Sequence, residues 1–253
     1  MNRWYLQIEY DGRNYVGWQR QDNGPSIQQS LEEAIENFSS ESIRVQGAGR
    51  TDAGVHALGQ AAHFDLQKDF SADTVRDAIN AHLRPQLISV LVARKVSDKF
   101  HARFSAIERS YLYRILNRRP PPTLEYGSVW HVQRPLDAEA MHAAAQILVG
   151  EHDFTTFRAT MCQARTPVKT INSLSVVRDK DQIIFKASAP SFLHHQIRNF
   201  VGSLRLVGEG KWQSSDLKRA LAARDRTKGG ETAPAGGLFL TNVTYPPDVI
   251  GAA

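Results

Sequence analysis

The 253-residue chain has few of the features that mark secreted, membrane or disulfide-rich proteins. Its single cysteine, Cys162, excludes an intramolecular disulfide and favours a reducing compartment. No apolar run approaches the roughly 20 residues that a membrane-spanning helix needs. The N-terminal stretch MNRWYLQIEYDG alternates apolar and polar side chains like a strand, and it contains no apolar signal core. These absences predict a soluble, cytoplasmic protein with no membrane partner.

The sequence also lacks the standard spacings of phosphate and metal sites. Gly54 ends a G-x-x-x-x-G pattern, but Val55 and His56 follow where a P-loop requires lysine and a hydroxyl residue. His63 and Asp65 lie close to His56 without a known metal-ligand spacing, so a metal site is poorly supported. A Ser/His/Asp triad stays open because triads are recognised by geometry, although no nucleophile elbow G-x-S-x-G occurs.

Basic residues outnumber acidic ones by 31 to 26, which gives a net charge of +5. That surplus is compatible with a nucleic-acid partner, but it is weak support alone. Arginine and lysine also recur beside aromatic residues in the stretches DKFHARFSAIERSYLYRILNRRP and FLHHQIRNFVGSLRL. Positive charge beside aromatic rings suits a polyanion whose bases can stack.

Both halves of the chain mix strands and helices without regular βαβ alternation, which predicts an α+β fold with mostly antiparallel sheets. Ser26 and Ser71 are expected to cap two helices of the first half. Strands are predicted around residues 42–46 and 60–66. In the second half, an apolar stripe predicts a helix over about 192–207.

Residues 47–60, GAGRTDAGVHALGQ, gather four glycines around one arginine, one aspartate and one histidine. One interpretation is a tight turn, in which glycines supply positive φ and Arg50 pairs with Asp52. The segment is nevertheless longer than the joining of two strands requires, and catalytic groups often lie on loops that a sheet positions. The residues alone leave both interpretations open.

This loop resembles the signature loop of the TruA-type tRNA pseudouridine synthase family. Five further segments are similar to that family in the same order along the chain. They are EYDGRNYVGWQRQ, FHARFSAIERSYLYRI, GEHDFTTFR, FLHHQIRNFVGSL and TAPAGGLFL. The resemblance covers essentially the whole chain, and six ordered motifs are far more specific than one glycine-rich loop. TKGGETAPAGG departs slightly from the family pattern, with Lys228 and an extra glycine.

The resemblance implies that the protein isomerises uridine to pseudouridine at nucleotides 38, 39 and 40 of the tRNA anticodon stem-loop. In that reaction the N1–C1′ bond breaks, the uracil turns, and C5 bonds to C1′. It further implies tRNA as the partner, a homodimer, and no cofactor or metal. Two other classes of function stay open from the residues alone: a non-catalytic RNA-binding module, and an enzyme acting on a small nucleoside or sugar.

Site residues follow from the resemblance by position. Asp52 is implied as the catalytic nucleophile, and whether it attacks C1′, attacks C6 or abstracts a sugar proton stays open. Tyr111 would stack on the flipped uracil and assist proton transfer at C5. Arg198 would pair with the catalytic carboxylate and favour its ionised form, although a solvated arginine on a polar helix face is the plainer interpretation. Leu238 would pack on the other face of the base, and Arg50 completes the predicted substrate-binding set.

The implied architecture is two α/β halves related by an approximate twofold axis, with antiparallel sheets meeting at a catalytic cleft. We predict an N-terminal domain, residues 1–104, that carries the aspartate loop. A C-terminal domain, residues 105–253, is predicted to complete the uridine pocket. His56 and Gln60 are expected to shape the loop or the RNA path, or to have core or turn roles. Several basic residues are candidates for phosphate contacts: Arg13, Arg20, Lys99, Arg103, Arg109 and Arg114.

Overall fold

The alternating N-terminal sequence forms strand β1 (Asn2–Tyr10) in the computed structural model, which describes residues 1–250. The other strands are β2 (Gln46–Gly47), β3 (His56–Leu66), β4 (Ile88–Val96), β5 (Glu108–Leu116), β6 (Trp130–His131), β7 (Gly150–Asp153), β8 (Val168–Ile171), β9 (Ser173–Asp179), β10 (Gln182–Ala189) and β11 (Leu238–Thr244). The helices are α1 (Ile27–Ser39), α2 (Ala72–Leu83), α3 (Ala138–Ala145), α4 (Gln196–Gly208), α5 (Ser214–Ala223) and the short α6 (Pro247–Ile250). No helix among these described residues is both long and apolar enough to cross a membrane.

Two units make up the chain. The first comprises Met1–Arg109 and the C-terminal segment from Phe239, and the second comprises Ser110–Leu238. Each unit combines helices with mostly antiparallel strand pairs, which confirms the predicted α+β class. The two units divide close to residue 104, but the last strand groups with the first unit. The functional division into an aspartate-loop domain (1–104) and a pocket-completing domain (105–253) stays a prediction.

The sheet of the first unit has the strand order β4-β1-β3-β11. β1 is antiparallel to both neighbours, and its apolar residues are buried, with Trp4 opposite Phe64. The last strand, β11, runs parallel to β3 and pairs Phe239 with His56. Helices α1 and α2 pack together, and α2 also packs on β4. The glycine-rich loop joins β2 to β3, so this sheet holds both of its ends.

Local sequence determines where the first two helices begin. The Ser26 side chain accepts the Gln29 backbone N–H at 3.2 Å, and the Ser71 side chain accepts that of Thr74 at 3.1 Å. Both predicted N-caps are therefore confirmed. The strand predicted over residues 42–46 is wrong in extent, because only Gln46–Gly47 pair with β3. The strand predicted at 60–66 begins four residues earlier, at His56.

In the second unit, β5, β10 and β9 are successive neighbours, and β9 and β10 form an antiparallel hairpin. The buried face of α4 includes Ile197, Phe200 and Leu204, as its apolar stripe predicts. The helix begins at Gln196 rather than near residue 192, because His195 has a left-handed backbone with φ of 62°. The Leu193 backbone N–H donates instead to the Gln196 side chain at 2.7 Å.

Candidate active site

The glycine-rich loop leaves the sheet after β2 and returns to it at β3. The Ala48 backbone N–H donates to the Ala61 carbonyl at 2.8 Å, which continues the pairing of the strands. The Gln60 side chain, fully buried, donates from Nε2 to the Gly49 carbonyl at 2.9 Å. Arg109 donates from Nη2 to the Ala48 carbonyl at 3.2 Å. Three hydrogen bonds, from strands β3 and β5, therefore hold the start of the loop.

Asp52 lies half-buried in the middle of this loop, between β2 and β3, and hydrogen bonds hold the backbone around it. It forms an isolated antiparallel bridge with Gly17. The preceding carbonyl, of Thr51, accepts the Trp18 backbone N–H at 3.1 Å, and the Asp52 carbonyl accepts that of Val55 at 3.1 Å. The turn that follows β1 thus holds the backbone before the carboxylate, and a hydrogen bond within the loop holds the backbone after it.

Gly17 permits this close approach. Its φ is +115°, a conformation that side-chain-bearing residues rarely adopt, and a Cβ atom would lie 2.6 Å from the Thr51 carbonyl oxygen. Gly49 contrasts with it, since a Cβ atom there would have no heavy atom within 4 Å. The glycines of this region therefore have different roles, and only some are required by packing.

A buried pair of hydroxyl groups joins the loop to strand β1. The Tyr10 hydroxyl and the Thr51 Oγ1 atom lie 2.8 Å apart, and both residues are buried. Burial raises the pKa of Tyr10 to about 12, against the smaller opposing effect of its hydrogen bond with Thr51. Tyr10 therefore stays protonated at neutral pH and serves as a fixed hydrogen-bond partner rather than a base.

His56 and Gln60 both belong to the core of the first unit. The His56 ring is 3% exposed and stacks on Phe239, with ring centroids 4.7 Å apart. Its Nδ1 atom lies 3.2 Å from the Gly12 backbone nitrogen, which donates to it. Both side chains are buried, and Gln60 in addition holds the start of the loop through the Gly49 carbonyl. Arg50, by contrast, is exposed on the loop that carries Asp52.

The second unit carries the other three predicted site residues. Tyr111 lies half-buried on β5, and its ring meets that of Phe192 edge-on at 5.3 Å. Arg198 lies on α4, where its Nε atom donates to the Ala233 carbonyl at 2.7 Å and its own carbonyl accepts the Ala233 N–H at 3.1 Å. Leu238, 6% exposed, is the first residue of β11.

The segment between Ala233 and Leu238 is held by Tyr113. This tyrosine is fully buried, donates its hydroxyl to the Pro234 carbonyl at 2.8 Å, and has a pKa raised by burial. A Cβ atom on Gly237 would lie 2.6 Å from its ring, so the segment lies directly against the tyrosine. Arg198 therefore bonds to the first residue of this segment, Ala233, and Leu238 is its last residue.

Our sequence reasoning missed three of these supporting residues. Tyr113 lies two residues after Tyr111, and this spacing places both side chains on the same face of a strand. The spacing is the sequence signal that could have identified Tyr113. Tyr10 and Thr51 gave no such signal, because their contact joins residues 41 positions apart. Four of the candidate phosphate contacts have partners within the protein. Arg109 donates to backbone carbonyls, and the other three pair with carboxylates: Arg13 with Asp11, Arg20 with Glu32 and Arg114 with Glu125.

The protein has an α+β fold that holds a half-buried aspartate on a constrained loop between two strands. Comparison with known proteins identifies its class. A family model described as tRNA pseudouridine synthase matches residues 7–105 and 144–246, well over half of the chain. The chain belongs to the tRNA pseudouridine synthase family. Pseudouridine synthases are isomerases, so this protein is an enzyme of that class.

Individual relatives agree with the family model. The tRNA pseudouridine synthase A of Rhodospirillum centenum is 60% identical over 97% of this chain and 100% of its own length. That of Maricaulis maris is 58% identical over 97% of this chain and 99% of its own length. Among solved structures, a chain of a Cbf5-Nop10-Gar1 complex is 10% identical, with a TM-score of 0.33 over 80% of this chain and 54% of that one. That structural likeness is too low to carry an argument.

Proposed function

We propose that this enzyme converts uridine to pseudouridine at nucleotides 38, 39 and 40 of the tRNA anticodon stem-loop, with Asp52 as the nucleophile. The observation that carries the proposal is the fixation of the backbone on both sides of a half-buried carboxylate. Near relatives that are named tRNA pseudouridine synthase A support tRNA as the substrate. The anticodon positions follow from the resemblance of the six sequence motifs.

The reaction balances without a co-reactant. The N1–C1′ bond breaks, the uracil turns, and a C5–C1′ bond forms. The proton on C5 is lost and N1 gains one, so the product is an isomer of the substrate. A target base within a helical stem must first leave the stack, which costs a few kcal/mol that contacts with the RNA must offset.

Mapping the product tests the assignment of the target nucleotides. Unmodified tRNA transcripts with uridine at 38, 39 or 40 are incubated with the wild-type enzyme. Pseudouridines are then located by carbodiimide modification and primer extension. We expect new stops one nucleotide 3′ of each of these three positions, because the motifs match the family that modifies them. Stops confined to another part of the tRNA would overturn the assignment, and turnover of free uridine at a comparable rate would favour a small-molecule enzyme.

Tyr111 is assigned two roles that separate experimentally: its ring stacks on the flipped uracil and its hydroxyl assists proton transfer at C5. Tyr111→Phe keeps the ring, so we expect tRNA affinity within about threefold of wild type and a single-turnover rate lowered about a hundredfold. Tyr111→Ala should in addition weaken tRNA binding about tenfold, because the stacking surface is lost. Filter binding and tritium release from [5-³H]uridine-labelled tRNA measure the two effects.

Tyr126, which is 73% exposed, provides the matched control. Tyr126→Phe removes the same atom from another tyrosine of the second unit, and we expect wild-type binding and turnover. A wild-type rate for Tyr111→Phe would remove the hydroxyl from the mechanism and leave the ring as the only contribution of Tyr111.

We assign Arg50, Arg198 and Leu238 to substrate binding as well. Leu238 offers an apolar surface for the base, and the two arginines offer positive charge to the carboxylate or the RNA. We further propose that the enzyme acts as a homodimer in the cytoplasm. Sedimentation of the wild-type chain at about twice its mass of 28.3 kDa would support the dimer, and sedimentation as a monomer at assay concentrations would oppose it.

A further inference from the structure

The connection between β4 and β5 exposes a large aromatic side chain. Phe104 is 76% exposed, although Phe100 and Ala102 in the same segment are completely buried. A single exposed apolar residue is ordinary on a protein surface. An exposed ring becomes informative when the backbone that carries it is rigid and its neighbours are charged, and both conditions hold here.

Hydrogen bonds within the segment hold the Phe104 backbone. The His101 carbonyl accepts the Ser105 N–H at 2.9 Å, and the Ser105 hydroxyl accepts the His101 N–H at 3.0 Å. The Nδ1 atom of His101 accepts the backbone N–H groups of Arg103 at 3.1 Å and Phe104 at 3.4 Å. Each of these bonds involves His101, so one histidine fixes the backbone of residues 101–105.

The turn is also attached to the sheet below it. The Ala102 N–H donates to Nδ1 of His63 at 3.2 Å, and its carbonyl accepts the Tyr245 hydroxyl at 2.6 Å. Arg109 donates to the carbonyls of Arg103 at 2.6 Å and Ala48 at 3.2 Å. Because Ala48 lies four residues before Asp52, the same arginine ties the exposed turn to the start of the catalytic loop.

Cationic side chains accompany the exposed ring. The Arg103 guanidinium carbon lies 5.6 Å from the centre of the Phe104 ring. The His101 ring centroid lies 4.4 Å from that of Phe104 and adds aromatic surface rather than charge, because burial lowers the pKa of His101. Lys99, exposed, belongs to the same segment, whose single acidic residue is Asp98. Lysine is depleted from the apolar centres of protein–protein interfaces, whereas cations beside aromatic rings are typical of single-stranded nucleic-acid sites.

We propose that Phe104 is a stacking platform for an unpaired base of the bound tRNA, outside the uridine site, with Arg103 and Lys99 contacting the neighbouring phosphates. The inference rests on the proposed function, since it assigns the platform to the same RNA. Rigidity matters because a preorganised surface loses little conformational entropy on binding. The ring contributes by stacking, which is tolerant of base identity, and the cations contribute a salt-dependent attraction.

The test compares Phe104→Ala with Arg103→Ala in filter binding of full-length tRNA between 50 and 200 mM salt. We expect Phe104→Ala to weaken binding by about 5- to 100-fold at every salt concentration. Arg103→Ala should instead reduce the salt slope by about 1. Phe104→Trp should restore affinity, because it restores a stacking surface. The thermal midpoint of each variant should match that of wild type, because the replaced side chain is exposed.

Leu124→Ala serves as the control, since Leu124 is completely exposed in the second unit and the change also removes surface apolar area. Wild-type affinity for Phe104→Ala would overturn the inference. So would conversion of a dimer to a monomer by Phe104→Ala in sedimentation, which would assign the ring to a contact between copies. These outcomes leave the proposed function intact as long as wild-type enzyme releases tritium from labelled tRNA. The proposed function fails separately if it does not.

Discussion

Replacing Asp52 by asparagine is expected to lower tritium release from [5-³H]uridine-labelled tRNA by on the order of a thousandfold or more. The amide is nearly the same size as the carboxylate, but it is uncharged and cannot act as the nucleophile. The backbone bridge to Gly17 and the hydrogen bonds of Thr51 and Asp52 involve main-chain atoms, so they survive the change. Affinity for tRNA should therefore stay within about threefold of wild type.

Asp73→Asn is the matched control for this variant. The Asp73 side chain is 80% exposed in the first turn of α2 and pairs with Arg76 on the helix surface at 3.0 Å. The same chemical change there should leave turnover unaltered, since exposed pairs of this kind contribute little. Turnover by Asp52→Asn comparable to that of Asp73→Asn would remove Asp52 from the mechanism.

Gly17→Ala is expected to damage both stability and activity, although Gly17 carries no functional group. The new Cβ atom would meet the Thr51 carbonyl oxygen at 2.6 Å, and the φ of +115° would itself be strained. We expect the free energy of unfolding to fall by about 2–4 kcal/mol. Turnover should fall about a hundredfold in the fraction that remains folded, because relief of the clash displaces Asp52.

Gly49→Ala provides the comparison within the loop that carries Asp52. A Cβ atom at Gly49 has no heavy atom within 4 Å, so the free energy of unfolding should change by less than about 0.5 kcal/mol. Urea denaturation of the two variants and of wild type measures the difference. Equal stability of Gly17→Ala and Gly49→Ala would show that the turn after β1 does not constrain the loop.

Features encoded within a few residues were predictable from the sequence. Ser26 and Ser71 begin helices because a hydroxyl there satisfies a backbone N–H three residues later. The alternation in β1 placed Trp4 and Leu6 in the core because side chains of a strand point to opposite faces in turn. For the active site, the resemblance of six motifs indicated the family that the comparisons then showed.

Features that depend on distant partners were not predictable. β3 begins at His56 because β11, almost two hundred residues later, pairs beside it and stacks Phe239 on the histidine ring. The start of α4 depends on a left-handed backbone at His195, which no common capping pattern signals. The supports of the loop that carries Asp52 likewise come from outside its motif: Tyr10 in β1, Gly17 in the next turn, and Arg109 in β5.

The fixed loop also bears on how the free energy of tRNA binding is distributed. A glycine-rich segment has much conformational entropy to lose, and here that loss occurs when the protein folds, because the loop is bonded to β1, β3 and Arg109 in the free enzyme. Ordering of this loop then takes little from the favourable free energy of the RNA contacts. Under the proposed function, that free energy is left to drive the unstacking of the target base, which the polypeptide cannot complete before the RNA binds.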